Sequence, residues 1–157
     1  MLDTVAGLEI DGATVLDLFA GSGAMGIEAL SRGARTVVFV DRAPGSVKVV
    51  RANLATLGLE EIDLDARDVE VVRAEAVGWL LARPRHFDLA LVDPPYAFSE
   101  WGTLLGRLDA AVAVLESDRE LAAPVTWGIL KRKRYGDTLV TVVRHVDPAR
   151  AGQKGSP

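Results

Sequence analysis

The sequence contains no cysteine, so disulfides and thiolate metal sites are excluded and nothing ties the chain to an oxidising compartment. It has two histidines, His86 and His145. They lie far apart, without metal-ligand spacing, and no metal site is expected. No run of 18 apolar residues occurs, which leaves no candidate membrane-spanning helix. The opening stretch MLDTVAGLEIDGA has acids where a secretory signal needs a basic start and an apolar core. These absences point to a cytoplasmic protein with no membrane partner. Aromatic residues make up only 6%, so a tyrosine inside a motif stands out.

What is present is ordinary in bulk. Of 157 residues, 49% are hydrophobic and 25% charged, which suits one globular domain. We expect that domain over residues 1–150, with 151–157 a flexible tail, and a monomer. The net charge of -4 argues weakly against a polyanionic partner. The charge is uneven, however. Residues 1–127 hold 11 Lys/Arg against 20 Asp/Glu, and residues 128–157 hold 7 against 2. A basic end on an acidic body lets a polyanion approach from one side, although lysines and arginines also guard exposed sheet edges.

Strand-like and helix-like stretches alternate. TVLDLF (14–19), TVVFV (36–40), 69–73, DLALV (88–92) and AVAVL (111–115) read as strands, the apolar runs as strands covered on both faces. Between them lie helical stretches at 22–32, from Pro44 to a stop at Gly58, at 75–82, and a helix with Trp101, Leu104, Leu105 and Leu108 on one face. Residues 127–133 and 139–144 flank YGDT as an antiparallel hairpin. The pattern predicts an α/β fold: an open, mostly parallel sheet with a C-terminal antiparallel hairpin and helices on both faces. Ligands of such sheets sit at the carboxyl ends of the strands, where strand order reverses.

Two motifs fall at that end. DLFAGSGAMG (17–26) places Gly21, Gly23 and Gly26 after the first strand, and Asp41 closes the second strand twenty residues beyond Gly21. This is the spacing of a dinucleotide site, with Asp41 placed for ribose hydroxyls. Asp17 is discordant: a carboxylate four residues before Gly21 would repel a pyrophosphate but suits the cationic sulfonium of S-adenosylmethionine (SAM). Glu75 and Ala76, after the third strand, could meet an adenine, or simply open a helix with an acid at its positive end.

The second motif is DPPY, Asp93–Pro94–Pro95–Tyr96, after the fourth strand. Two prolines make a rigid extended turn lacking two backbone donors, so the Pro94 carbonyl and the Asp93 carboxylate can both act as fixed acceptors. A tyrosine ring follows. Two acceptors beside a flat π-surface describe a receptor for a planar group bearing an amine. Holding both amine hydrogens would localise a delocalised lone pair and aim it at a methyl group, by positioning and electrostatics. Trp101 reads as core, His86 as surface, and Phe98 as a possible border of the base pocket.

Together these motifs resemble the amine methyltransferases of the Asn/Asp-Pro-Pro-Tyr class. More closely, VLDLFAGSGAMGIEALSRGA, VDPPYAF and KRKRYGDT resemble the bacterial family that methylates the guanine 2-amino group of small-subunit ribosomal RNA, over residues 8–144. The resemblance implies a seven-stranded Rossmann-like SAM-dependent methyltransferase fold. It implies SAM among Asp17, Phe19, Ala20, Gly21, Gly23, Asp41, Arg42, Glu75 and Ala76, with Asp93, Pro94, Pro95 and Tyr96 at the reacting base. It also implies ribosomal RNA as partner, within small-subunit assembly particles. Members usually begin with a basic hairpin arm and a helix; this chain opens where that helix would end, and the stretch from 101 to 111 is short, so weak RNA affinity is expected. Rival readings are a dehydrogenase, which gives DPPY no role, a protein-glutamine or DNA amine methyltransferase, and a SAM-binding module without RNA activity.

Overall fold

The alternation read from the sequence recurs in a computed structural model, which describes residues 8–59, 62–63 and 67–146. The elements are β1 (Thr14–Leu18), α1 (Ala24–Ser31), β2 (Thr36–Asp41), α2 (Pro44–Thr56), β3 (Ile62–Asp63), β4 (Arg67–Arg73), α3 (Ala76–Ala82), β5 (Phe87–Val92), α4 (Trp101–Arg107), β6 (Ala110–Ser117), β7 (Trp127–Tyr135) and β8 (Thr138–His145). The strands form one sheet in the order β3-β4-β2-β1-β5-β6-β8-β7. The seven expected strands are all there, and the two-residue β3 adds to one edge, antiparallel to β4. Strands β4, β2, β1, β5 and β6 run parallel, and β8 pairs antiparallel with both β6 and β7. The expected tail, 151–157, lies outside the described residues.

Period-2 alternation divides the core in two. Leu16, Leu18, Val38, Val40, Ala90, Val92, Ala113 and Leu115 face α3 and α4, meeting Trp79, Leu80, Trp101, Leu104 and Leu105. Val15, Val37, Phe39, Leu89, Leu91, Val112 and Val114 face α1 and α2, meeting Ala29, Leu30, Val50 and Leu54. Each fully buried leucine or valine contributes about 1.5–3 kcal/mol relative to exposure. Trp101 is therefore core, as read.

Two local devices aim this sheet. At the amino end of β1, the Asp88 carboxylate accepts from the Thr14 amide and hydroxyl at 2.8 and 3.1 Å, and the hydroxyl accepts from the Asp88 amide at 3.0 Å. This clamp fixes the β1–β5 register at the end away from the cavity. The helix expected over 75–82 starts one residue later, because Glu75 is its N-cap: the carboxylate accepts from the amides of Val77 and Gly78 at 3.1 and 2.7 Å. Likewise α1 starts at Ala24 rather than 22, since Gly23 caps it in the left-handed region at φ 79°.

Candidate active site

Strand order reverses between β1 and β5, and there the carboxyl ends open onto a cavity of about 1020 Å³. Its walls include Asp17, Phe19, Ala20 and Gly21 of the β1–α1 loop, and Asp41 and Arg42 at the end of β2. Glu75 and Ala76 line it from the start of α3, and residues 93–100 from the loop after β5. Every residue expected to hold cofactor or substrate borders this space except Gly23. A Cβ on Gly23 would press on Val50 and Phe39 at 3.1–3.3 Å, so this glycine serves the turn and its packing.

The third glycine of the loop has a similar role. A Cβ on Gly26 would stand 2.3 Å from the Phe39 ring and 3.0 Å from the Asp17 carboxylate. Glycine lets α1 settle onto Phe39 and lets the Gly26 amide donate to Asp17 Oδ2 at 3.0 Å. Gly21 is at φ 58° and its amide donates to Asp41 Oδ2 at 3.0 Å, while Asp41 Oδ1 accepts from the Ala43 amide at 2.9 Å. The Gly23 amide donates to the Ala20 carbonyl. The amides of Gly21, Gly23 and Gly26 are thus taken up by the chain itself, two of them by its own carboxylates. Carboxylates held against the loop in this way suit a cationic ligand better than a pyrophosphate.

The electrostatics agree. Asp41, Asp17, Asp93 and Glu116 stand at the carboxyl ends of four neighbouring strands, β2, β1, β5 and β6. Asp17 is buried at 3% exposure, and its pKa is raised from 3.8 to about 7. Burial is the main cause, the charges of Asp93 and Asp41 add to it, and the Gly26 hydrogen bond opposes them. A rim of acids favours a ligand bearing positive charge. SAM suits this lining: a sulfonium and an ammonium for the acids, a ribose diol for a carboxylate such as Asp41, and an adenine for the part of the cavity lined by Glu75 and Ala76. The Glu75 carboxylate is engaged in capping α3, so the helix-opening reading holds while the residue still borders the cavity.

Asp41 latches the loop and faces the proposed ribose. Asp41→Ala is expected to weaken SAM binding by about 1–3 kcal/mol, the range for a hydrogen bond to a charged group, measured by titration calorimetry. Unchanged affinity would place the ribose elsewhere.

The DPPY stretch comes directly after β5. Pro94 is buried while Asp93 and Tyr96 are exposed, Tyr96 to 58%. The Pro95 carbonyl accepts from the Phe98 amide at 2.9 Å, closing a turn whose central residues are Tyr96 and Ala97, with Pro94 buried just before it. Phe98 stacks edge-on against both Phe19 and Trp101, with ring centroids 5.2 and 5.4 Å apart, so it braces the cavity wall. Phe19 sits at φ 63°, a strained setting for a non-glycine residue and one that clusters at binding sites. Tyr96 holds a contact the sequence did not reveal: its hydroxyl lies 3.3 Å from the Thr138 hydroxyl of β8. His86 is at the surface, paired with Asp109 at 2.8 Å, and His145 packs edge-on against Trp127. Among the described residues no cluster could hold a metal ion, and no helix is long and apolar enough to cross a membrane.

One lining residue escaped the sequence reading. Glu116, near the end of β6, is 9% exposed and borders the cavity. The available signal was an acid within the otherwise apolar run AAVAVLES.

A family profile described as Conserved hypothetical protein 95 matches residues 2–144. The chain belongs to this family. Members similar to it in sequence include the Bacillus subtilis protein named "Putative rRNA methyltransferase YlbH", 37% identical over 85% of this chain and 77% of that one. Another is the ribosomal RNA small subunit methyltransferase D of Haemophilus influenzae, 32% identical over 77% of this chain and 66% of that one. The chain thus spans about two-thirds to three-quarters of the length of these family members. Among solved structures, a "Putative methyltransferase" of Escherichia coli superposes with a TM-score of 0.77 at 28% identity, covering 92% of this chain and 81% of that one. The Conserved hypothetical protein 95 fold is therefore the mixed, mostly parallel sheet of the methyltransferases, as the sequence pattern predicted.

Proposed function

We propose that the chain is a SAM-dependent methyltransferase that modifies the exocyclic 2-amino group of a guanine in small-subunit ribosomal RNA. One observation carries this reading: the DPPY turn and the acid-rimmed cofactor loop open onto one cavity from adjacent strands, β5 and β1. SAM, when bound, supplies a methyl group made electrophilic by its sulfonium. The chain's part is to present the amine. The Asp93 carboxylate and Pro94 carbonyl accept the amine hydrogens, localising the nitrogen lone pair toward the methyl carbon. With SAM bound, the amine nitrogen would take the methyl group while the bonding electrons stay with the departing sulfur, and Asp93 would pass the surplus amine proton to solvent. The ring of Tyr96 stacks on the base. Such positioning is worth several kcal/mol of barrier without a strong base.

A ribosomal RNA partner is supported by the names of the relatives and by charge. Lys131, Arg132, Lys133 and Arg134 on β7 are all exposed. Strand alternation would send only half of them to each face; here β7 is the sheet edge and both faces are open there. The hairpin that carries them reaches the site through Thr138 and Tyr96. A monomer acting on small-subunit particles in the cytoplasm completes the proposal.

The test is transfer of radiolabelled methyl from SAM to small subunits lacking the modification, beside a SAM titration. Label is expected in a guanine nucleoside. Label on a protein amide or in DNA would transfer the mechanism to another amine, and tight SAM binding without label on any acceptor would reduce the chain to a binding module.

A further inference from the structure

Glu116 has no role in the reading above, and its setting is costly. It is buried at the rim of the cavity, and its Oε1 finds no hydrogen-bond partner among the described residues. An apolar residue would be more stable there if packing were the only demand. The β5–β6 register pairs Val92 with Leu115, so the next position on each strand sets Asp93 beside Glu116. That sets the two carboxyl groups side by side on the rim of one cavity, where each bears on the other's proton. Two carboxyls can bond only when a proton lies between them. Asp93 is exposed and Glu116 is buried, which places that proton on Glu116.

We propose that Glu116 is a positioning residue for methyl transfer: its protonated carboxyl donates to Asp93 and turns the acceptor lone pairs of Asp93 toward the incoming amine. This rests on the reading of Asp93 as the amine's acceptor. The pair carries one negative charge, and the free rotation of an exposed aspartate is replaced by a single orientation. Burial first, then the hydrogen bond and charge of Asp93, raise the Glu116 pKa well above the carboxylate range, so the proton is retained at neutral pH. The titratable groups on the surrounding elements are few. Asp93 adjoins from β5, Asp17 stands one strand further at the end of β1, and Tyr96 and Glu100 line the same cavity. On the other side β8 offers Val140 opposite Glu116 and the buried hydroxyl of Thr141, with exposed Lys133 beyond on β7.

The experiment uses the whole chain with SAM and unmodified small subunits. Glu116→Ala is expected to lower kcat at least tenfold with the SAM dissociation constant unchanged within about twofold. Glu116→Gln, whose amide also donates to Asp93, should restore most of that turnover. Wild-type turnover should fall at alkaline pH as Glu116 loses its proton, and this fall should vanish in Glu116→Gln, whose donor does not titrate. An alanine variant with normal kcat, or an alkaline fall that persists in the glutamine variant, overturns the proposal. A second measurement needs no RNA. With carboxyl-¹³C glutamate, the Glu116 resonance should titrate above neutral pH in the wild type and at lower pH in Asp93→Asn. Titration in the ordinary carboxylate range, or no change in Asp93→Asn, overturns the pairing whatever the methylation assay gives. The expected titration without methylation of any ribosomal RNA would instead count against the proposed function and leave the carboxyl pair standing.

Discussion

Asp93→Ala is expected to lower methyl transfer by at least 100-fold while leaving SAM affinity within about twofold. Removing one preorganised group aimed at developing charge typically costs 10²–10³ in kcat, and in the proposed mechanism Asp93 both orients the amine and takes up its surplus proton. Asp93 is exposed after β5 and lines the same cavity as the Asp41 latch, two strands away at the end of β2. Asp93→Asn keeps one acceptor oxygen and should fall between wild type and alanine. Single-turnover methylation beside calorimetry makes the check. Loss of SAM binding with normal residual turnover would assign Asp93 to the cofactor instead.

Asp17→Asn should make the protein without cofactor more stable and the cofactor complex weaker. The sign follows from the raised pKa, from 3.8 to about 7. Between those values the folded chain holds a proton that the unfolded chain releases. Stability therefore falls as pH rises through that window, and the full cost is present above pH 7. At 1.36 kcal/mol per pH unit of displacement the ceiling is about 4 kcal/mol, of which a neutral asparagine should recover a part. The melting temperature of Asp17→Asn should exceed that of the wild type at pH 7.5, and the two should converge near pH 4. Binding a sulfonium requires the charged form, so wild-type SAM affinity should weaken as pH falls below about 7, whereas the affinity of Asp17→Asn, already at least tenfold weaker, should be flat. Equal melting temperatures at pH 7.5 would mean that Asp17 is not strained in the empty site.

Much of this molecule was legible before any coordinates. The apolar runs at 36–40 and 88–92 became central strands because only a strand covered on both faces tolerates such composition. Asp17 was noticed because its charge conflicted with a pyrophosphate, and the structure buries that carboxylate against the Gly26 amide of the loop. Glu116 was not legible: its partner is 23 positions away, and their meeting depends on a parallel register that no local pattern encodes. The Tyr96–Thr138 contact was hidden for the same reason, since it joins a loop after β5 to the far strand of a hairpin. Burial of Asp17 was also invisible, because it arises where α1 closes over Phe39 through a missing Cβ at Gly26. Charge patterns survive in one dimension, whereas contacts between strands do not.

The loop that holds Gly21 and Gly26 to Asp41 and Asp17 is tied by the chain's own hydrogen bonds. Folding has already met the entropy of ordering it, so a small molecule need not. That preorganisation has a side effect on throughput. The demethylated product keeps the same ribose and the same amino-acid end as SAM, and differs at this cradle by one methyl and one positive charge. A loop tied in this way has little means of relaxing its grip once the methyl has gone; the acids of the rim alone register the lost charge. Spent cofactor should therefore leave slowly and compete with fresh SAM, and the ratio of the two in the cell, more than the supply of RNA, would set how fast this site turns over.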